Sequence, residues 1–132
     1  MMQAPWASET YGIAMPDGVH FADGFVYRGL GVHQTYPGSK NGRRKPRWIV
    51  PHLGSGHRLC SLIGDAERLT PIVTDLAEAG DWSFEGLDGW RNMFPEAREC
   101  LLEFASRHRQ FVRLRGGQNS ENVARLVAEH RG

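Results

Sequence analysis

Residues 47–63 read Arg-Trp-Ile-Val-Pro-His-Leu-Gly-Ser-Gly-His-Arg-Leu-Cys-Ser-Leu-Ile. Two apolar runs, Trp48-Ile49-Val50 and Leu59-Cys60-Ser61-Leu62-Ile63, flank Leu53-Gly54-Ser55-Gly56, whose glycines permit the positive backbone angles that a reversal requires. A β-hairpin is the expected result. Pro51 pushes its first strand toward a sheet edge, because proline has no N–H to give to a ladder.

Upstream, Phe25-Val26-Tyr27-Arg28 and Val32-His33-Gln34-Thr35-Tyr36 are β-branched and aromatic, with Gly29 and Gly31 where a strand would bulge or bend. One bent strand or two short ones fit. Residues 1–23 carry two prolines and the turn signal Pro16-Asp17-Gly18. They are expected to form an arm that packs through Trp6, Tyr11 and Ile13, with at most a short edge strand.

Downstream of Gly64 the apolar spacing becomes helical. Asp65 can cap a single turn, but Thr70 followed by Pro71 is the stronger start and Gly80 the stop, with Ile72, Val73, Leu76 and Ala77 on one face. Ser83 caps a short segment through Trp90, and Pro95 opens a helix to about His108 with Ala97, Leu101, Phe104 and Ala105 inward. Residues 110–115 allow a short strand, and Ser120 caps a closing helix. Strands first and helices second predict an α+β fold: a small antiparallel sheet from the N-terminal half, covered on one face by three or four C-terminal helices. The chain of 132 residues is read as a single domain, residues 1–132, with 1–23 as its arm and 37–47 as an exposed basic loop.

The charge pattern is uneven. Between Gly24 and Gly64 stand Arg28, Lys40, Arg43, Arg44, Lys45, Arg47 and Arg58 and no acid, whereas residues 65–103 sum to −7; the net charge of +1 hides this. Residues 37–46, Pro-Gly-Ser-Lys-Asn-Gly-Arg-Arg-Lys-Pro, join turn formers to four of these cations and offer nothing to a core. A positive, acid-free loop suits nucleic acid or an acidic protein face. The candidate contacts are Lys40, Arg43, Arg44, Lys45 and Arg47, with Arg58 in support and Tyr36 and Trp48 placed to stack on unpaired bases. The bland alternative is a solvated loop neutralised by the acidic helices. The run Arg107, His108, Arg109, Arg113 and Arg115 adds to the site only where it lies beside the loop.

Other chemistry is weakly supported. His52 and His57 lie symmetrically about the turn and can face each other, with His20 and His33 as further imidazoles, yet no Cys pair or His-Glu-x-x-His accompanies them, so no metal is expected. A metal-free ribonuclease-type toxin would draw on His33, His52, His57, Arg58 and Tyr27 as acid, base and cation. Gly54-Ser55-Gly56 lacks the Lys-Ser or Lys-Thr of a P-loop, and Ser55 lacks a Gly-x-Ser-x-Gly elbow. The acids Glu67, Asp75, Glu78, Asp81, Glu85, Asp88, Glu96, Glu99 and Glu103 have no calcium-loop spacing and read as an exposed helical face. Cys60 and Cys100 read as free thiols of a reducing compartment. No run is long enough to span a membrane and the first residues lack a signal-peptide pattern, so a cytoplasmic protein is expected.

The stretch Arg47 to Gly56, followed by a helix ending at Asp81-Trp82, resembles short proteins of bacterial phages and plasmids. The resemblance implies an accessory regulator or inhibitor that binds host or competing machinery. The expectation is thus a cofactor-free, non-catalytic protein that engages nucleic acid or an acidic protein surface; a membrane or a small-molecule ligand is not expected.

Overall fold

The computed structural model describes residues 2–15, 17–92 and 95–114. The hairpin of residues 47–63 is present as β4 (Arg47–Pro51) and β5 (Arg58–Ile63), but it lies inside a larger sheet. β1 (Ala7–Met15), β2 (Gly18–Tyr27) and β3 (Leu30–Tyr36) precede it and β6 (Val112–Leu114) follows, giving six antiparallel strands in the order β1-β2-β3-β4-β5-β6. Between β5 and β6 run α1 (Ala66–Ala79), the six-residue α2 (Gly86–Arg91) and α3 (Pro95–Arg107).

This overturns the expected small sheet under three or four helices: among the described residues only two helices exceed six residues, and the sheet takes strands from both ends of the fold. The supposed arm is the difference at one end. Residues 7–15 pair with 18–26 over their whole length as a ribbon. Beyond the first residues this ribbon has little apolar alternation, since much of it lies outside the core, so its period of two is faint in the sequence. The helix expected from Ser120 lies outside the described residues, as does Arg115.

Two local expectations, the edge position of Pro51 and the start of α1, are also corrected, and one open choice is decided. β4 is an interior strand; Pro51 is tolerated at its last position, beside a bulge where the register shifts and Leu59 is the extra residue. Of the two readings open for residues 25–36, the structure has two strands, with the reversal at Arg28-Gly29, both with positive φ (52° and 88°). α1 begins at Ala66, behind Asp65, because the Thr70 hydroxyl donates back to the Ala66 carbonyl (2.7 Å) instead of capping a new helix.

One face of the sheet is buried under the helices. Leu30, Val32, Trp48, Val50, Cys60, Leu62, Val112 and Leu114 point into a core with Leu69, Ile72, Val73, Leu76, Ala97, Leu101 and Phe104. Burial pushes the Cys60 thiol up to about 12, so it behaves as an apolar group. Trp6 closes the core at the β1 end, its indole N–H donating to Thr74 Oγ1 at 2.8 Å.

The ribbon leaves the sheet at Gly24, after the last β2–β3 pair Phe25–Val32. Tyr11 crosses over this point, its hydroxyl 2.7 Å from His33 Nδ1, and a methyl group at residue 24 would collide with the Val32 carbonyl oxygen and approach Tyr11 Oη to 2.9 Å. At Gly12, by contrast, an added methyl meets only the side chains of Val19 and the 76 % exposed Phe21. Gly24→Ala is therefore expected to lower the unfolding free energy by about 1–3 kcal/mol, and Gly12→Ala by less than about 0.5 kcal/mol, in urea titrations. Equal effects would refute this account of the ribbon's exit.

Candidate functional site

The basic loop joins β3 to β4 and is built on neutral hydrogen bonds. Ser39 N–H donates to the Arg44 carbonyl (3.0 Å) and Gly42 N–H to the Ser39 carbonyl (3.1 Å). Arg44 N–H donates to Ser39 Oγ (2.9 Å), while Arg43 N–H and the Ser39 hydroxyl both donate to Asn41 Oδ1 (3.0 and 2.7 Å). Gly38 holds a φ of +90°, and a side chain there would press on the Arg44 carbonyl at 2.9 Å. The main chain is thus fixed without help from any charged side chain, and Lys40, Arg43, Arg44, Lys45 and Arg47 are exposed.

Among the described residues none of these five has an ion-pair partner. Ion pairs elsewhere in the fold include His20–Asp17 and Arg107–Glu103. The carboxylates Asp23 and Asp65 line a cleft with Phe25, Gln34, Pro46, Trp48 and Ala66 at the foot of the loop.

The remaining candidates are distributed unevenly. Trp48 is buried, its indole N–H donating to the Gly64 carbonyl (3.0 Å), so it presents no ring to solvent; Tyr36 is half-buried. Arg58 stands at the far end of the hairpin, opposite Pro51, roughly 13 Å along the strands from Arg47 at the usual rise per residue. It is close enough to His33 to act on that ring's charge but does not join the loop.

The C-terminal cations do lie at the loop's end of the sheet. Gly64 N–H donates to the Pro46 carbonyl (2.9 Å) and Ile63 N–H to the Phe111 carbonyl (2.8 Å), so the end of the loop and the α3–β6 turn flank the same tip of β5. Arg109 and Arg113 are exposed there, Arg113 Nη1 donating to the Arg109 carbonyl (2.7 Å), while Arg107 is held by Glu103. Arg68 of α1, over the Phe111 ring at 5.7 Å, joins them. Nothing in the sequence marks Arg68, which stands in a block that reads as acidic.

His52 and His57 are neighbours across the turn, the His52 N–H donating to the His57 carbonyl (2.7 Å), but His33 lies apart from them. His33 pairs with Ile49 on the helix-free face, whereas His52 bridges to Leu30 and lies in the core, stacked on Phe84 with centroids 3.9 Å apart. His52 Nε2 donates to the Trp82 carbonyl (2.9 Å) and Nδ1 accepts from Ser55 N–H (3.1 Å), which fixes the neutral tautomer. His57 sits in the turn, its N–H donating to Ser55 Oγ (3.2 Å). Among the described residues no group of three or more His, Cys, Asp or Glu is placed to hold a metal ion.

A cleft of about 830 Å³ at the opposite end is walled by Arg28, Glu78, Asp81 and Glu85 over Trp82 and Phe84. Hydrogen bonds from Ser83, first its hydroxyl and then its N–H, with Arg28 beyond, hold the Asp81 carboxyl below its ordinary range. This end is mixed to acidic, the wrong sign for a polyanion. No helix among the described residues is long and apolar enough to cross a membrane. The chain matches no protein-family model, no curated protein and no solved structure.

Burial lowers the imidazole pKa values of His33, with help from Arg58, and of His52, against the opposing pull of the Trp82 carbonyl. Both rings are neutral in the fold and gain protons more readily unfolded. Their stabilising contribution is fully present above the ordinary 6.5 and is lost as pH falls through the lower folded values. The urea midpoint is expected to hold steady from pH 7 to 8 and drop from about pH 6.5 toward 5, with a shallower drop in His33→Gln. A midpoint unchanged down to pH 5 would contradict it.

Proposed function

We propose that this chain is a non-catalytic binding protein that holds an anionic macromolecule on residues 37–47, and acts by occupancy rather than turnover. The observation that carries the reading is that Lys40, Arg43, Arg44, Lys45 and Arg47 are exposed on a loop braced by neutral groups, and among the described residues none pairs with a carboxylate. The neutralised loop of the bland alternative would require such pairs. Arg68, Arg109 and Arg113 extend the positive surface around the tip of β5. The ribonuclease alternative finds less support, because His33 and His52 occupy opposite faces of the sheet and cannot share one phosphate.

Replacing Arg43, Arg44 and Lys45 together by Ala is expected to weaken retention of the partner at least about tenfold while changing the unfolding free energy by less than about 0.5 kcal/mol, since exposed loop charges contribute little to folding. Capture from a lysate with and without nuclease sorts nucleic acid from an acidic protein. Undiminished capture by the triple variant would remove the loop from the site. Degradation of RNA by the purified protein in chelator, abolished by His52→Ala in a folded variant, would replace binding with catalysis.

A further inference from the structure

We infer that the anionic macromolecule is a nucleic-acid double helix, gripped through its phosphate backbone without reading of its bases; this rests on the anion-binding reading of the loop. Two eliminations lead there. A protein partner needs an apolar anchor at the centre of the contact, because aromatic and aliphatic groups driven out of water supply most of the energy of such interfaces. Among the described residues the large exposed hydrophobic side chains are Val19 and Phe21, and both stand on the β1–β2 ribbon, which carries Glu9, Asp17 and Asp23 and no Lys or Arg. From Lys40 to Lys45 the loop exposes only polar and charged groups and Gly42. Charge without an apolar centre is poor equipment for a protein face. It suffices for a polyelectrolyte, whose binding is driven by release of condensed counterions.

A single strand is the second candidate to fall. Proteins that hold unpaired strands do so on open aromatic rings, each stacked base contributing substantially to affinity. Here Trp48 is buried with its N–H on Gly64, Tyr36 is half-buried, and Phe111 is half-buried under the guanidinium of Arg68. Duplex bases are already stacked on one another and ask for no such platform. What a duplex offers is a fixed lattice of phosphates, and the loop is fixed too, by the Ser39 and Asn41 hydrogen bonds. Gly42 carries a φ of +73° with open space where a side chain would lie, so the backbone at the tip can come close to a sugar-phosphate wall.

The test uses the full chain and fluorescence anisotropy with one short DNA duplex, the matching RNA duplex, each single strand alone, and a base-shuffled duplex, across about 0.05–0.2 M salt. Tighter binding to either duplex than to its own strands is expected, with the shuffled duplex equal to the original. The duplex that binds better identifies the source of the phosphates. Log affinity should fall against log salt with a slope near the number of phosphates met, and Arg43→Ala/Arg44→Ala/Lys45→Ala should flatten that slope by about 3, at roughly 0.9 per lost contact. Single strands bound as tightly as duplex, a flat salt response, or dependence on base order would each overturn the inference. Nuclease-resistant capture of a protein, with no duplex binding, sinks the double helix and leaves the anion-binding loop standing; retention of neither sinks both.

Discussion

The indole of Trp48 lies buried beneath the helical layer and donates a 3.0 Å hydrogen bond to the carbonyl of Gly64, the residue that follows β5 and releases the chain toward α1. Strand side chains alternate between faces, so burying Trp48 and Val50 obliges Arg47 and Ile49 to face away from the helices. Antiparallel pairing carries the choice across the sheet. Leu62 opposite Trp48 and Val112 opposite Leu62 turn inward, and Ser61 and Arg113 turn outward with Ile49. A slip of one residue would invert the set and press Arg47 and Arg113 into the core without partners, at a cost of several kcal/mol for each buried charge. Register and charge placement are one constraint.

From that constraint follows the separation of charge. Part of the alternation of charge along the sequence becomes a separation in space: Asp75, Glu78, Glu99 and Glu103 sit exposed on the helices over one face, while the loop cations, Arg47 and Arg113 occupy the tip and the other face. Among the described residues a net charge near zero therefore conceals a separation of opposite charges. Such a molecule approaches a polyanion in one orientation, because the helical layer is repelled as the loop is attracted. The ribbon, free of Lys and Arg, belongs with the repelled part.

The hairpin, the helix opened by Pro95 and the last short strand are legible because each has a clean signal: turn glycines between β-branched runs, proline at a first helical position, alternation around Val112 and Leu114. The ribbon from Ala7 to Gly24 is not, since its pairing is held in part by long-range contacts, Trp6 with Thr74 and Tyr11 with His33, that no local window contains. The start of α1 is hidden for another reason. Thr-Pro is a strong opening signal, and only the back-bond from Thr70 to Ala66 shows that the helix is already running. At the site, the exposed cations follow from composition alone, whereas the fate of Trp48 depends on which face the helices cover. The proximity of Arg109 and Arg113 to the loop exists only through the Pro46–Gly64 and Ile63–Phe111 hydrogen bonds.

The way the loop is braced bears on its use. A long connection can be ordered by ion pairs between its own cations and nearby carboxylates, but every cation so engaged is withdrawn from a partner and must be desolvated and exchanged when the partner arrives. Here Ser39 and Asn41 do the ordering through neutral hydrogen bonds, while Asp23 and Asp65 at the foot of the loop take no cation from it. The backbone entropy of the loop is already lost in the unbound protein, so what binding still has to order is the side chains alone, of the order of 1 kcal/mol each. A flexible loop of the same composition would have to lose its backbone freedom at the moment of contact as well. With no apolar surface to compensate that loss, the same five charges would bind more weakly, so neutral braces beside uncommitted cations suit the proposed site, which is made only of charge.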